Sequence, residues 1–402
     1  MTLISVEEAL EKVLASARRL GSERIDINQA LGRTLAAPLK AKRTQPPFNA
    51  SAMDGYAVRG DDVARSGALL RVIGESAAGH GFSGLIGAQE AVRIFTGAPV
   101  PEGADTILLQ EHAKREGDLV SVIEPEQKGR HVRSIGLDFA EGHVLLPQGH
   151  RLNARSLALA AAMNHGHLDV VRKPKIAILA TGDELVLPGH GTGADQIVAS
   201  NHLTIAALAQ EAGADTVQLG IAGDSFHALE RGILGAEAEG ADVLVTIGGA
   251  SVGDHDLVQS ALTRRGMELG FWRIAMRPGK PLIHGRLGPM AILGLPGNPV
   301  SASVCSLLFL VPLIRAMQGD PEAAKDRTEP ARLGSAVRAN DKRQDYLRAE
   351  LSTDADGFLI ATPYEVQDSS MISTLVKAGA LIIRVPDAPA EAAGSLCRIM
   401  RL

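Results

Sequence analysis

The chain has 402 residues, of which 45% are hydrophobic and 22% charged, and its formal net charge is −5. This length exceeds what one hydrophobic core organises, so we expect a globular protein of two to four domains. The mildly acidic balance, without a long Lys/Arg run, argues against nucleic-acid binding. Two cysteines are too few for a disulfide framework and fit a reducing, cytoplasmic location.

The first half of the chain predicts one helix, then a mainly β region, then a second helix. Acidic residues spread through the first twenty positions indicate an amphipathic helix over 5–19 rather than a signal peptide. Residues 46–140 are rich in Gly, Val and Ile and contain repeated turns, which favours strands. The segment "ARSLALAAAMNH" (154–165) predicts a helix.

Residues 174 to about 326 show alternating strand and helix patterns, which predict a doubly wound, mainly parallel sheet. The expected strands are KIAILA (175–180), VQLGIA (217–222), DVLVTI (242–247), FWRIAM (271–276) and AILGL (291–295). The apolar stretch at 302–314 contains Pro312 and is expected to be too short to span a membrane. Beyond it, 345–351 and 358–363 predict a hairpin.

These patterns divide an α/β multidomain chain into four candidate units. The first, domain I, would combine residues 1–45 with 141–173, and a mainly β domain II would occupy 46–140. Domain III, the α/β domain, would cover 174–326. A small β-barrel-like domain IV would cover 327–402.

Polar or glycine-rich turns follow all five predicted α/β strands. Ligands in open α/β sheets bind outside the carboxyl ends of the strands, so these turns predict a site. The alternative, for any single turn, is an ordinary connection, because Gly, Asp, Asn and Pro suit turns and helix caps. The turn residues are Thr181–Glu184, Asp224, the segment 247–256, Arg277–Lys280 and Pro296–Pro299.

The charges in these turns indicate what would bind. Clustered carboxylates need a cation, and hard oxygen donors favour Mg²⁺ over zinc; these acids are Asp183, Glu184, Asp224, Asp254 and Asp256. Arg273, Arg277 and Lys280 suit a phosphate or another tetrahedral oxyanion. The amides of Gly248 and Gly249, and the helix start near Pro299, add anion-binding capacity.

Two further stretches, PPFNASAMDGYAV (46–58) and RIFTGAPVPEGADTILLQE (93–111), are rich in Pro and Gly. From the residues alone, turns within a β domain are the favoured explanation of both stretches. In order and separation, however, SAMDGYAV, RIFTGAPVPEGAD, TGDEL, GGASVGDHD, RPGKP and LPGNPVSA together resemble the molybdopterin molybdenumtransferase family, which includes MoeA and the gephyrin E-domain. The resemblance covers essentially the whole chain.

The resemblance implies a set of site residues. Those expected in catalysis are Asp54, Thr96, Asp138, Glu184, Asp224 and Asp256, with Asp224 and Asp256 as metal ligands. Substrate binding is expected at Arg273, Arg277, Lys280, Gly248, Gly249, Ser251, Pro296, Pro299, Arg348 and Ser369. Known members carry Lys at the positions of Arg273 and Arg277. In this chain the planar guanidinium fork of Arg therefore replaces the single ammonium group of Lys.

The resemblance also implies an activity and partners. Members insert molybdate into adenylylated molybdopterin and release AMP with Mg²⁺ as cofactor, as homodimers with the active site between subunits. Suggested partners are the molybdopterin adenylyltransferase and downstream cofactor-processing proteins, with neither nucleic acid nor membrane involved. The alternatives left open are a molybdopterin adenylyltransferase, suggested by the α/β region alone, and a gephyrin-like scaffold without enzymatic activity.

Overall fold

A computed structural model describes residues 3–249 and 257–402. Its central sheet contains the predicted parallel strands. In spatial order the strands are Asp215–Ala222, Lys175–Thr181, Val243–Ile247, Met290–Leu295, Pro281–Leu287 and Glu268–Arg273. The first four are parallel, and Pro281–Leu287 is antiparallel to both of its neighbours. Glu268–Arg273 therefore points the same way as the parallel strands, so its carboxyl end lies at the same edge.

The prediction for this part of the sheet was wrong in two details. The predicted strand 271–276 divides, because Glu268–Arg273 belongs to the sheet while Met276–Arg277 pairs with a strand near the C-terminus. Pro281–Leu287 was missed because His284 and Arg286 interrupt its apolar pattern, although His284 is in fact buried. Apolar periodicity does not reveal a strand with a polar residue inside the core.

Helices cover both faces of the sheet, and two apolar clusters lie between the layers. The helices in the described ranges of this region are Asn201–Glu211, Phe226–Ala238, Leu257–Arg264, Pro299–Cys305 and Val311–Met317. Coverage of both faces explains why the parallel strands are continuous apolar runs.

Pro299–Cys305 and Val311–Met317 are joined by a π turn at Ser306–Leu310 into one continuous helix. The wider turn precedes Pro312, whose ring cannot fit a regular helical interior. The resulting 19-residue helix is longer than the predicted 302–314 segment, and by length and composition alone it could cross a membrane. However, 78% of its apolar window is buried inside the protein, as in the core helix of a soluble protein.

The first helix, Val6–Ala15, is shorter than the predicted 5–19. Ser5 is its N-cap residue, and the Ser5 hydroxyl accepts a hydrogen bond from the Glu8 amide. Its buried face packs into the α/β core rather than onto the rest of the predicted 1–45 unit. Ser22–Asp26 pairs instead with His167–Val171, and Leu39–Lys40 pairs with Val144–Leu146. Helix Ala154–Ala162 packs in the same cluster as these strands, close to its predicted position.

The segment predicted as mainly β folds into a mixed sheet. Its strands in spatial order are Thr106–Leu109, Gly55–Val58, Glu90–Ile94, Leu69–Ser76, Leu119–Val122 and Ala113–Glu116. Ala50–Ser51 pairs separately with Val132–Arg133.

The C-terminal strands form a closed barrel, as the barrel-like prediction stated. Its strands are Thr328–Leu333, Gln344–Thr353, Leu359–Pro363, Ala380–Arg384 and Leu396–Arg401, with helix Ile372–Lys377 between the third and fourth. Gln344–Thr353 pairs with strands on both sides and thereby closes the barrel. It also forms the predicted hairpin with Leu359–Pro363.

Candidate active site

A cleft of about 660 Å³ lies at the carboxyl ends of the parallel strands, where the sequence predicted a site. Its floor includes Thr181, Ile247 and Pro296, each at or just beyond the end of a strand. One wall is the short parallel pair Leu185–Val186 and Ile197–Val198. Among the predicted residues, those that line this cleft are Glu184, Asp224, Gly248, Gly249, Pro296 and Pro299.

Gly248 and Gly249 make the turn at the centre of the cleft, and both have positive φ, +89° and +66°. A Cβ on Gly248 would lie 2.7 Å from the carbonyl oxygen of Thr181, and one on Gly249 would lie 2.4 Å from Val258 Cγ2. Only glycine therefore fits either position. Such a turn brings backbone close to whatever occupies the cleft.

The acids of the first two turns are connected. Asp183 Oδ1 accepts a hydrogen bond from the Asp224 amide at 3.0 Å, which ties the two turns together. Glu184 folds back over Gly182, where a Cβ would lie 2.4 Å from Glu184 Oε2. Asp183 thus holds the two turns together, while Glu184 and Asp224 line the cleft.

The predicted cations lie in different settings. The Arg273 guanidinium stacks on the Trp272 ring at 4.2 Å, and Arg273 does not line the cleft. Arg277 pairs with Asp345 of the barrel, and this hydrogen bond raises the pKa of the guanidinium. Lys280 is half-buried, precedes the cleft residue Pro281, and has no ion pair within residues 3–249 and 257–402.

Ser369 and Arg348 connect the barrel to the cleft. The Ser369 hydroxyl accepts from Asn298 Nδ2 at 2.9 Å, and its carbonyl accepts from the Val300 amide at 3.0 Å. Asn298 therefore occupies the N-cap position without capping the helix through its side chain. Arg348 is fully buried, which lowers its pKa, and its Nη1 donates to the Met371 carbonyl at 3.2 Å.

The predicted residues from the β region lie elsewhere. Both the backbone N–H and the hydroxyl of Thr96 donate to Asp54 Oδ1 at 2.7 Å, and these two bonds hold the pKa of Asp54 below its usual value. Asp138 lines a second cleft of about 650 Å³, next to Gly97 and Arg133. None of Asp54, Thr96 and Asp138 lines the α/β cleft of the same chain.

Ser251, Asp254 and Asp256 lie outside the described residues, so the second predicted metal ligand has no structural account. The sequence reasoning also missed residues that line the α/β cleft. Asn201 donates to the Gly297 carbonyl at 2.6 Å, and burial lowers the pKa of its neighbour His202. Their position at the start of helix Asn201–Glu211 was the available signal.

Comparison with protein families matches three segments of the chain. Residues 4–164 match the MoeA N-terminal region (domain I and II), 177–316 match a probable molybdopterin binding domain, and 330–402 match the MoeA C-terminal region (domain IV). The segment that carries the α/β cleft is thus the one that matches the molybdopterin-binding domain. The fold, the cleft and these matches together define a multidomain protein that contains a probable molybdopterin binding domain.

Relatives that match over nearly their whole length indicate which family within this class the chain resembles. The chain is 33% identical to a molybdopterin molybdenumtransferase of Haemophilus influenzae, over 95% of this chain and 94% of that protein. It is also 33% identical to molybdopterin molybdenumtransferase 2 of Mycobacterium tuberculosis, over 99% of both. A solved structure of the molybdopterin biosynthesis MoeA protein from Pyrococcus horikosii superposes with a TM-score of 0.85 at 30% identity, covering 100% of this chain and 99% of that one.

The chain belongs to the molybdopterin molybdenumtransferase family. It is a transferase with a role in molybdenum cofactor biosynthesis.

Proposed function

We propose that the chain inserts molybdate into adenylylated molybdopterin and releases AMP. The observation that supports this most is the cleft of about 660 Å³, where a glycine turn, two carboxylates and a helix start meet. Its volume lies in the range of small-molecule sites. The helix start and the backbone of the glycine turn suit phosphate groups, and the apolar walls suit a ring system.

The residues of the cleft bind and orient the substrate in this proposal. Gly248 and Gly249 let a phosphate group approach the main chain, since no side chain intervenes. Asn201 donates to the Gly297 carbonyl and so fixes the turn Pro296–Pro299. Lys280, half-buried and without an ion pair in the described ranges, supplies positive charge for molybdate. Holding both reactants in place requires no protein nucleophile.

The donors in the cleft fit a magnesium ion that the substrate helps to bind. Glu184 and Asp224 both line the cleft, and no group of three or more ligating side chains occurs in the part of the chain that the structure describes. Mg²⁺ commonly takes one or two carboxylates together with substrate phosphates and water. Glu184 and Asp224 would hold the ion, which would neutralise charge on the departing AMP.

We further propose a homodimer in which each active site uses two chains. Asp54, Thr96 and Asp138 do not line the α/β cleft, yet Asp54 is partly exposed and already oriented by Thr96. A second copy related by twofold symmetry would place this surface against the cleft of its partner. The active site would then combine acids of one subunit with the glycine turn of the other.

Mixing two inactive variants tests this arrangement. Asp54→Asn and Asp224→Asn are each expected to lose activity as homodimers. After unfolding and refolding together, half of the dimers are mixed, and each mixed dimer has one intact site, so about a quarter of normal activity returns. A site within one chain would regain nothing. Analytical ultracentrifugation of each variant checks that dimers form.

The activity itself is tested by following AMP release from adenylylated molybdopterin with and without molybdate. The proposal requires AMP release that depends on molybdate and is lost in Asp224→Asn. Incubation with Mg-ATP and molybdopterin addresses the alternative. Adenylylated product formed without a second protein would identify an adenylyltransferase instead.

A further inference from the structure

The C-terminal barrel docks on the α/β region partly through apolar contacts. Tyr346, Leu381 and Met400 of the barrel are buried in the same cluster as the sheet and the long helix. Apolar burial is strong but non-directional, so it holds the barrel in place without fixing its orientation. A directional contact is needed to set the angle between the two parts.

Arg277 and Asp345 supply such a contact. Arg277 Nε donates to Asp345 Oδ1 at 2.8 Å, and Arg277 Nη2 donates to Asp345 Oδ2, so both carboxylate oxygens are engaged. The backbones of the same two residues pair in a parallel bridge. The Asp345 side chain is only 8% exposed, whereas that of Arg277 is 46% exposed. Two parallel hydrogen bonds from a planar guanidinium fix direction as well as distance.

Two other polar contacts of Arg277 also come from the barrel. Arg277 Nη1 lies 3.4 Å from Asp341 Oδ2, and Nη2 lies 3.3 Å from Asn340 Oδ1. Two carboxylates thus balance one guanidinium. An incoming dianion would have to displace a carboxylate that already occupies the fork, so this residue is poorly placed to capture an oxyanion.

The strand that carries Asp345 also organises the wall of the cleft. Three residues further on, the buried Arg348 donates to the Met371 carbonyl and to Gln367 Oε1. The segment between those two residues holds Ser369, which contacts Asn298, and Ser370, which lines the cleft. The contacts therefore run from the turn at Arg277 through one strand to the cleft wall at Ser370.

We propose that the Arg277–Asp345 pair is a clamp that orients the barrel on the α/β sheet, and that Asp345 is a positioning residue for the cleft wall. In this assignment Arg277 holds Asp345, and through it the barrel, in a fixed orientation, and it does not bind molybdate. The clamp is independent of the proposed activity, but its effect on turnover rests on that proposed function.

Hydrogen–deuterium exchange of the full-length protein tests the clamp without any substrate. Peptides covering 344–353 and 364–372 are compared in Arg277→Lys, Asp345→Asn and the unaltered protein. Lysine keeps the charge but not the fork, so both variants are expected to raise exchange in these peptides about tenfold, which corresponds to about 1.4 kcal/mol. Arg398→Gln is the matched control, since it removes an exposed barrel ion pair with Asp326. Unchanged exchange in both clamp variants would overturn the proposal.

The molybdate KM of Asp345→Asn separates a clamp from a ligand. This variant leaves Arg277 in place and removes the carboxylate that occupies its fork. A ligand would then bind molybdate better, and a lower KM would refute the positioning role. If the pair is a clamp, kcat of Asp345→Asn falls several-fold while its molybdate KM does not fall. Arg277→Lys is expected to show the same change in kcat. If the unaltered protein shows no turnover while exchange changes as expected, the proposed function fails and the clamp stands.

Discussion

Replacing Gly248 by alanine tests whether the glycine turn is required by its geometry. Gly248 has a φ of +89°, and an added Cβ would lie 2.7 Å from the Thr181 carbonyl oxygen and 3.1 Å from Thr181 Oγ1. The Thr181 carbonyl is backbone at the end of a buried strand, and its hydroxyl is tied to the Ile247 carbonyl at 3.1 Å. Neither atom can move away cheaply.

Two effects add in the free energy of unfolding. A residue with a Cβ in the left-handed region costs about 1–2 kcal/mol, and forcing a methyl group into a packed site costs about 1–3 kcal/mol more. We therefore expect Gly248→Ala to destabilise the protein by about 2–5 kcal/mol. Gly220 offers a matched control, because its φ is +82° and nothing lies within 4 Å of an added Cβ. Gly220→Ala should cost only about 1–2 kcal/mol.

Urea denaturation followed by circular dichroism measures the difference between the two variants. The gain from a less flexible unfolded chain is common to both and cancels in the comparison. If Gly248→Ala were no less stable than Gly220→Ala, the close approach to Thr181 would not matter. The reasoning about this turn would then be refuted.

Four other substitutions give separate tests. Asp224→Asn should reduce molybdate-dependent AMP release at least tenfold (about 1.4 kcal/mol) while leaving the melting temperature unchanged, because the side chain lines a cleft rather than a core. Gly297→Ala should keep normal stability, since its Cβ would lie 3.6 Å from Gly248 Cα, but should raise the KM for the pterin substrate. Ser369→Ala removes the acceptor of the Asn298 side chain and should lower the free energy of unfolding by about 1 kcal/mol, measured with urea. Burial lowers the pKa of His284, so the unfolded state binds the proton more tightly and stability should fall as the pH drops below about 6.5. His284→Met should flatten that part of the pH–stability curve, and an unchanged curve would contradict this cause.

Much of the α/β cleft could be predicted because its polar residues follow strands that contain continuous apolar runs. Lys175–Thr181 and Val243–Ile247 are recognisable from composition, and parallel strands bring their carboxyl ends together. The turns at Gly182 and Gly248 were therefore expected to meet, and they do. The prediction needed only local pattern and one rule of topology.

The cations were harder to predict because their partners are distant in sequence. Arg277 and Asp345 are 68 positions apart, and no local pattern indicates that the barrel supplies a carboxylate to this turn. The strand containing His284 was missed for a related reason, since its burial depends on contacts made by other strands. The grouping of Asp54, Thr96 and Asp138 with the α/β cleft stays a prediction, as do the domain limits.

The packing of helix Val6–Ala15 has a consequence for synthesis of the chain. This helix is synthesised before the rest of its buried apolar cluster, whose strands and long helix lie between about residues 176 and 317. At roughly 5–20 residues per second, about 10–30 s pass before even the first of these strands is made. During that time the apolar face of the helix stays exposed to water, because the segments that bury it have not yet been made. Nascent chains that stall in the β region should therefore be targets for chaperones.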